Sequence, residues 1–336
     1  MSRVYFPKGY SSALDLYRTQ SAIGTLKKTF EKYLCAALNL KRVSAPLFVL
    51  PSTGLNDDLN GCERPVTFDI PAAHAEAAVV HSLAKWKRLA LYRYGFSAGE
   101  GLYTDMNAIR RDEEVLDNTH SVYVDQWDWE KVITRSDRNT GYLKETVRSI
   151  VGAICDTLDE LKREFPEINV SLKREVAFAT SYELEEKYPG LTPEERENEF
   201  AKEHGTAFIM CIGGKLKSGA LHGGRAPDYD DWQLNGDILF WDGVLGKALE
   251  ISSMGIRVDA ASMKSQLEEA GCTQRAGLMF HKMVLEDVLP LTIGGGIGQS
   301  RLSMLLLGKA HIGEVQSSVW DAETLEEAKN AGVIIL

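Results

Sequence analysis

Cysteine is scarce in this 336-residue chain, and its pattern is uninformative: Cys35, Cys62, Cys155, Cys211 and Cys272 are scattered, odd in number and without CxxC spacing. That excludes a disulfide framework and a cysteine-built zinc site, and it points to reduced thiols in a cytoplasmic setting. No apolar run approaches the roughly 20 residues needed to span a bilayer, so no membrane partner is expected. The N-terminus, MSRVYFPKGYSS, carries no apolar core of a secretion leader. Positive charge is in deficit: 38 Lys and Arg against 48 Asp and Glu give a net charge of -10. This argues against a sequence-independent grip on nucleic acid, although a local basic pocket remains compatible with it. There is no internal repeat, low-complexity stretch or linker. Two phosphate-binding signatures are also missing. The glycines near the C-terminus are not followed by Lys-Ser or Lys-Thr, and they do not form GxGxxG after a strand. A hydrophobic share of 44% and a charged share of 26% are ordinary for a globular chain, and the length suffices to bury a large core.

Those glycines are nevertheless the most distinctive stretch. Thr292 to Leu307, TIGGGIGQSRLSMLLL, places Gly294, Gly295, Gly296 and Gly298 just before Arg301 and an apolar run. The expected structure is a chain turning through glycines into a buried helix. Glycines in a row let a flat ligand lie against the backbone. A cation in the first turn of a helix opposes the helix dipole, so Arg301 is better explained by a bound polyanion such as a triphosphate.

Taken in order, Ser11 to Leu40 has the apolar spacing of one helical face, with Ser11 and Ser12 as caps. Val43 to Leu50 reads as a strand interrupted by Pro46, placed at a sheet edge facing solvent or at a subunit interface. Pro51 to Gly61 is a polar loop with Asp57 and Asp58 as turn residues. Strands are expected over Val66–Ile70 and Ala77–His81, followed by a basic helix with Lys85, Lys87 and Arg88: a solvated face or a local anion pocket. Leu102 to Ile109 is a strand that ends at Arg110. Ser121 to Glu130, SVYVDQWDWE, alternates with period two. One face turns polar midway, with Gln126 beside Asp128, as a strand running from core into a binding site would. Residues 141–205 read as a charged helical insertion at the periphery, with a strand at Val176–Thr180 and Pro193 starting a helix. Ala207 to Ile212, Asp237 to Trp241 and Ala248 to Val258 complete the strands, and a polar loop, GGRAPDYDDW, lies between the first two. Strands do not alternate regularly with helices, which disfavours a doubly wound parallel sheet. The expected fold is a single α+β catalytic domain over residues 1–336, with a mainly antiparallel sheet flanked by helices.

Three pieces together resemble the catalytic core of class II aminoacyl-tRNA synthetases: the first helix and strand with Pro46, Arg110 with Asp112 and Glu113 at a strand end, and GGGIGQSRL. Nearly the whole chain is similar to the ammonia-dependent asparagine synthetase family, through HSLAKWKR, FSAGEGLYT, HSVYVDQWDWE, GGKL, RAPDYDDW, LNGDI, ISSMGIRVDA and TIGGGIGQSRL. One departure stands out: only Gln233 separates Trp232 from Leu234, where a longer loop is expected.

The resemblance implies amidation of L-aspartate by ammonia at the expense of ATP, through a β-aspartyl-adenylate, with AMP and pyrophosphate released. It implies that Arg110 holds the α-phosphate, that Arg301 holds the γ-phosphate, that Glu113 and the glycines at 294, 295, 296 and 298 flank the nucleotide, and that Asp237 and Glu250 hold Mg²⁺. Gln126 would meet the β-carboxyl group or the attacked carbonyl. Asp128 would meet the substrate ammonium, and Ser82, Lys87 and Ser253 are candidates for its carboxylates. Asp57 and Asp230 remain, and Asp57 is favoured as the group that handles ammonium. A homodimer through residues 11–50 and a cytoplasmic setting without nucleic acid are the family's expectations. The alternatives are a tRNA-charging enzyme, disfavoured by the acidic balance, and a catalytically silent binding module, disfavoured by the ATP residues.

Overall fold

A computed structural model describes residues 3–57, 59 and 63–336; Asp58 and Cys62 lie outside the described residues. The first helix, α1 (Leu16–Leu38), starts later than expected because Asp15, not Ser11 or Ser12, accepts the Arg18 N–H as its cap. It stops where Asn39 turns left-handed. Ala22, Leu26, Phe30, Leu34 and Leu38 form its buried stripe, at the four-residue spacing of one helical face. The expected strand over Val43–Leu50 is split into β1 (Leu40–Arg42) and β2 (Phe48–Val49). Pro46 falls between them, where its missing N–H costs no ladder bond. β3 (Thr67–Ile70) and β4 (Ala75–Val79) join β2 in a small antiparallel sheet ordered β2-β4-β3.

Helix α2 (Ala84–Tyr94) then leads into β5 (Gly101–Ile109) and β6 (Tyr123–Val132). The 141–205 region contains α3 (Thr140–Glu164), β7 (Ala177–Thr180), α4 (Ser181–Lys187) and α5 (Pro193–His204). Of these, α3 places Leu143, Val147, Ile150 and Ile154 in the main core with α1. The rest of the chain supplies β8 (Thr206–Met210), β9 (Asp230–Asp242), β10 (Lys247–Arg257), α6 (Ala260–Glu269), α7 (Met279–Leu285), β11 (Thr292–Gly298), α8 (Gln299–Leu306) and α9 (Ala322–Asn330). Gln233 sits inside β9, so the loop expected around it is continuous strand.

The main sheet has eight strands in the order β1-β5-β6-β11-β10-β9-β8-β7. Only the outer pairs β1–β5 and β7–β8 are parallel; the others are antiparallel. The fold is therefore α+β with a mainly antiparallel sheet, as expected. Helices α1, α3 and α8 cover one face. There Trp127 and Trp129 of β6 are fully buried, with Phe30 and Trp127 ring centroids 4.7 Å apart. The alternate residues of β6 point to the opposite face, so the period-two reading of this strand carries over to the two sides of the sheet.

One expectation is corrected. Thr292–Gly298 is not a turn but strand β11, hydrogen-bonded on both sides between β6 and β10. Its glycines serve close packing across the sheet. A Cβ at Gly294 would lie 2.6 Å from Glu130 Cδ and 2.7 Å from Arg257 Nη2, and one at Gly296 would lie 2.8 Å from Gln126 Cδ. On the core side, a Cβ at Gly295 would lie 2.5 Å from Met254 Cβ and 2.8 Å from the Ser253 carbonyl oxygen. Neither group is the loose end of a flexible side chain. Gly295→Ala is therefore expected to destabilise the protein by about 1–3 kcal/mol through overpacking. The check is a urea titration in which the midpoint falls while the m-value is kept; an unchanged midpoint would show that the sheet yields freely at this point.

Candidate active site

The face of the sheet opposite α1 and α3 carries a cavity of about 1440 Å³, and a second cavity of about 190 Å³ adjoins it. The larger one exceeds the roughly 300–1,000 Å³ of ordinary single-ligand pockets, so it has room for two reactants. Asp57, Ser82, Lys87, Asp128, Asp230, Asp237, Ser253 and Gly295 line it. Gly298 and Arg301 line the smaller one, and Arg110, Glu113, Gln126, Glu250 and Gly296 face both. Of the residues singled out from sequence, Gly294 alone lines neither; it makes room for Glu130 and Arg257 below the floor.

The floor is a layer of buried charge. Arg257 of β10 pairs with Glu130 of β6 at 2.8 Å and with Asp230 of β9. Thr292 Oγ1 donates to Glu130 at 2.7 Å. Burial pushes the Glu130 carboxyl up, but Arg257 and Lys87 outweigh it and hold it below its ordinary value. Lys87 of α2 has no exposed surface. Its ammonium donates to Asp128, to the Trp129 carbonyl at 3.0 Å and to the Gly295 carbonyl at 3.1 Å, which uses all three of its donors. Burial still lowers its pKa despite Asp128. Lys87 and Asp128, each assigned to a charge of the substrate, are thus paired with each other.

The basic face of α2 is neither solvated nor an open pocket. Lys85 meets Asp228 at 2.9 Å, and Arg88 donates to the carbonyls of Val258 (2.7 Å) and Pro290 (2.9 Å). Asp228 also accepts from His281 at 2.9 Å and from Arg275 at 3.2 Å. Burial raises its carboxyl, but Lys85 and His281 prevail and hold it well below the carboxylate range. This cluster fastens the 225–231 segment to α2 and α7.

On the walls, Asp57 is 1% exposed. Its Oδ1 accepts the Leu59 N–H at 3.1 Å, and its carbonyl meets His81 Nδ1 at 3.0 Å. Ser82 Oγ accepts the Ala84 N–H at 3.2 Å, at the start of α2. Arg64 grips Asp112 through both carboxylate oxygens, tying the 63–64 segment to the loop after Arg110. Asp230 lies at the start of β9 rather than on a loop, and Arg257 claims its carboxylate. Arg301 is steadied by the carbonyls of Thr119 and Glu250, both at 3.3 Å, with the Glu250 carboxylate 3.9 Å away. Arg110 differs from all these cations. It sits at the junction of the cavities, its Nε is buried without a hydrogen bond, and no carboxylate pairs with it among the described residues.

Asp237 and Glu250 come together on neighbouring strands. Burial raises the Asp237 carboxyl; Arg225 opposes this and Glu250 adds to it, so its pKa is pushed up to about 7. Excess negative charge of this kind suits a divalent cation bound by one or two carboxylates together with phosphate oxygens. Among the described residues no three His, Cys, Asp or Glu side chains form a complete metal cage.

Sequence reasoning missed several groups. Arg225 bonds Ser253 and Asp237 (2.6 Å) on the wall of the larger cavity. Glu130 and Arg257 receive no role from the sequence, yet Glu130 shares the polar face of β6 with Gln126 and Asp128, and Arg257 follows an apolar run. His222 and Glu197, 2.9 Å apart, bring the start of α5 to the cavity wall. Their pairing is tertiary, and no sequence spacing announces it.

Residues 17–332 match the family model for aspartate-ammonia ligase. The chain is 58% identical over 335 residues to an aspartate–ammonia ligase of Clostridium tetani, covering 99% of this chain and 98% of that one. It is 57% identical over 332 residues to one of Lactobacillus johnsonii, covering 98% of each. Among solved structures, it superposes on asparaginyl-tRNA synthetase from Pyrococcus horikoshii complexed with asparaginyl-adenylate with a TM-score of 0.63 at 16% identity, over 89% of this chain and 68% of that one. An aspartyl-tRNA synthetase from Entamoeba histolytica gives 0.61 at 18% identity, over 91% of this chain and 58% of that one. The fold is that of the class II aminoacyl-tRNA synthetases.

The buried network sets an energetic expectation. Arg257→Met removes the principal cation of Glu130 and Asp230, leaving Lys87 3.9 Å from the first and Arg225 3.9 Å from the second, and should lower stability by roughly 3–5 kcal/mol, the cost of breaking a buried pair from one side. Adding Glu130→Gln should recover part of that loss, a coupling that denaturant titrations of the two single variants and the double variant would measure. Strictly additive losses would refute the pairing.

Proposed function

The chain belongs to the aspartate–ammonia ligase family, and from that premise we propose that it makes asparagine from aspartate and ammonia by adenylating the β-carboxylate with ATP. The observation that carries the adenylation step is Arg110, a cation facing both cavities with no carboxylate partner among the described residues. An arginine left unpaired in an acidic protein has use for an anion, and its planar fork suits two phosphate oxygens.

A carboxylate is a poor acyl donor because its leaving group would be oxide. In the first step an oxygen of the aspartate side chain attacks the α-phosphorus of ATP, and the bond to pyrophosphate breaks. Arg110 neutralises the charge that builds on the α-phosphoryl oxygens, and Arg301 takes the γ-phosphate. Such catalysis is mostly positioning and electrostatics. Glu113, Gly295, Gly296 and Gly298 flank the nucleotide, while Gly294, which lines neither cavity, acts beneath it by making room for Glu130 and Arg257. Asp237 and Glu250 would hold Mg²⁺, whose chemistry is to neutralise the phosphates. In the second step ammonia attacks the acyl carbon, and the bond to AMP breaks. Asp57 binds ammonium and removes its proton. Gln126, whose amide makes no hydrogen bond among the described residues, is disposed to meet the reacting carboxyl group.

The substrate is an amino acid carrying both an ammonium and carboxylates. Asp128 and Lys87 neutralise each other before it arrives, so the pair meets aspartate as a preformed dipole, with the Asp128 carboxylate toward the substrate ammonium and Lys87 toward a carboxylate. Ser82, Asp230 and Ser253 complete that subsite. The working form is a single catalytic domain in a cytoplasmic homodimer, acting on small molecules without nucleic acid. Exposed Leu47, Phe48 and Leu50, with Phe68 beside them, support a dimer contact that includes the 11–50 region. Among the described residues, no helix is long and apolar enough to cross a membrane.

The test is incubation with ATP, Mg²⁺, aspartate and ammonium: AMP and asparagine should appear only when ammonium is present. Arg110→Ala should depress aspartate-dependent pyrophosphate exchange by about 10²–10³-fold, the range for losing one electrostatic donor; exchange at the wild-type rate would remove Arg110 from the first step. Asp57→Asn should keep exchange and slow asparagine formation by about 10²–10⁴-fold, as for loss of a general base. Asparagine formation at the wild-type rate from preformed adenylate would exclude Asp57.

A further inference from the structure

The wall of the smaller cavity holds an acceptor with no hydrogen-bond partner among the described residues. Gln316 follows the turn at Ile312–Glu314, is 4% exposed and lines this cavity. Its amide nitrogen donates to Ser300 Oγ at 2.9 Å and approaches Asp125 Oδ1 at 3.5 Å. The same Asp125 oxygen accepts the Ser300 N–H at 3.0 Å. This fixes the orientation of the amide. The Asp125 oxygen is already acting as an acceptor, so turning the amide over would set oxygen against oxygen. With the nitrogen committed, the carbonyl oxygen is buried and has no hydrogen-bond partner among the described residues. Buried acceptors are seldom left this way unless a water, an ion or a ligand supplies the donor.

We propose that the Gln316 carbonyl oxygen accepts a hydrogen bond from the 6-amino group of adenine and selects ATP over purine nucleotides lacking that group. The inference rests on the reading that ATP is the co-substrate and that its base enters the smaller cavity. The volume, about 190 Å³, suits a base and not a whole nucleotide. Val124, Ile251 and Ile312 supply apolar wall. The cavity meets the larger one at Arg110 and Gly296, so a base seated here sends its phosphates toward Arg110. Adenine carries a donor at position 6, whereas guanine and hypoxanthine carry an oxo group. The oxo group would face the glutamine oxygen and leave two acceptors opposed, the situation in which a polar site discriminates most strongly.

The experiment measures aspartate-dependent pyrophosphate exchange with ATP, with purine riboside triphosphate (hydrogen at position 6) and with inosine triphosphate, in the wild type and in Gln316→Met. In the wild type, kcat/KM for ATP should exceed that for purine riboside triphosphate by about 10-fold, one good hydrogen bond, and that for inosine triphosphate by more. In Gln316→Met the ATP-to-purine ratio should fall to within about 2-fold of unity, with KM for aspartate unchanged. Equal use of ATP and purine riboside triphosphate by the wild type would overturn the proposal, and this arm needs no variant to fold. A ratio that survives in Gln316→Met would overturn it as well. Failure of ATP itself to support exchange would instead remove the ATP reading on which the proposal stands.

Discussion

Three successive glycines in the middle of the main sheet leave the volume that the site is built from. Gly294 and Gly296 face the cavity side, and the space a side chain would fill is taken by Glu130, Arg257 and Gln126. Gly295 faces the other way and lets β10 approach closely on the core side. Without that clearance Glu130 of β6 could not lie flat over β11 and reach Arg257 of β10, which also holds Asp230 on the adjacent β9. The glycines are flexible residues placed where flexibility is suppressed, because ladder bonds on both sides fix each of them. Their value here is the absence of a Cβ, not a freedom of φ.

The charged layer that occupies the space is costly in itself. Moving ions from water into a protein interior is repaid only when their partners and hydrogen bonds are all in place. Here they are. Glu130 has Arg257, Lys87 and Thr292; Lys87 has a carboxylate and two carbonyls; Arg257 bridges two acids. An apolar layer would make a floor of equal or greater stability. What it would lack is a fixed set of charges aimed upward, held in place before substrate arrives, which is how electrostatic catalysis avoids reorganisation during reaction. The cluster around Asp228 does the same for a wall. It uses Lys85, His281 and Arg275 to fasten a segment rich in glycine and proline that carries Arg225 and Asp230.

Much of this was legible in the sequence, for identifiable reasons. Alternation along residues 121–130 separated Trp127 and Trp129 from Gln126 and Asp128, because strand geometry assigns faces by parity alone. The four-residue stripe of α1 likewise marked a buried helix face. Local rules failed where tertiary pairing decided. The glycine run read as a turn because isolated glycines favour turns, while its two neighbouring strands are remote in sequence. Pro46 split the expected strand in two, and both halves, β1 and β2, lie at the edge of a sheet, as its missing donor predicts. Lys85, Lys87 and Arg88 have the composition of a solvated face, and only partners remote in sequence explain why they are buried: Asp228 for Lys85, Asp128 for Lys87 and the Val258 and Pro290 carbonyls for Arg88.

The same distinction bears on how an acidic chain can bind polyanions. A net charge of -10 repels nucleotides at long range, but salt screens that repulsion over about 8 Å at physiological ionic strength, so what decides binding is the charge within the cavities. There the cations fall into two groups. Lys87, Arg225 and Arg257 are committed to acids, and their fields are spent locally. Arg110 has no such partner among the described residues, and Arg301 is held mainly by carbonyl oxygens, with its nearest carboxylate at 3.9 Å. Committed pairs contribute little net attraction for an incoming anion, so the drive to bind phosphate falls on Arg110, at the junction of the cavities, and on Arg301, on the wall of the smaller one. Their placement, at the end of β5 and in the first turn of α8, fixes where the phosphates lie between a base pocket on one side and an amino-acid pocket on the other.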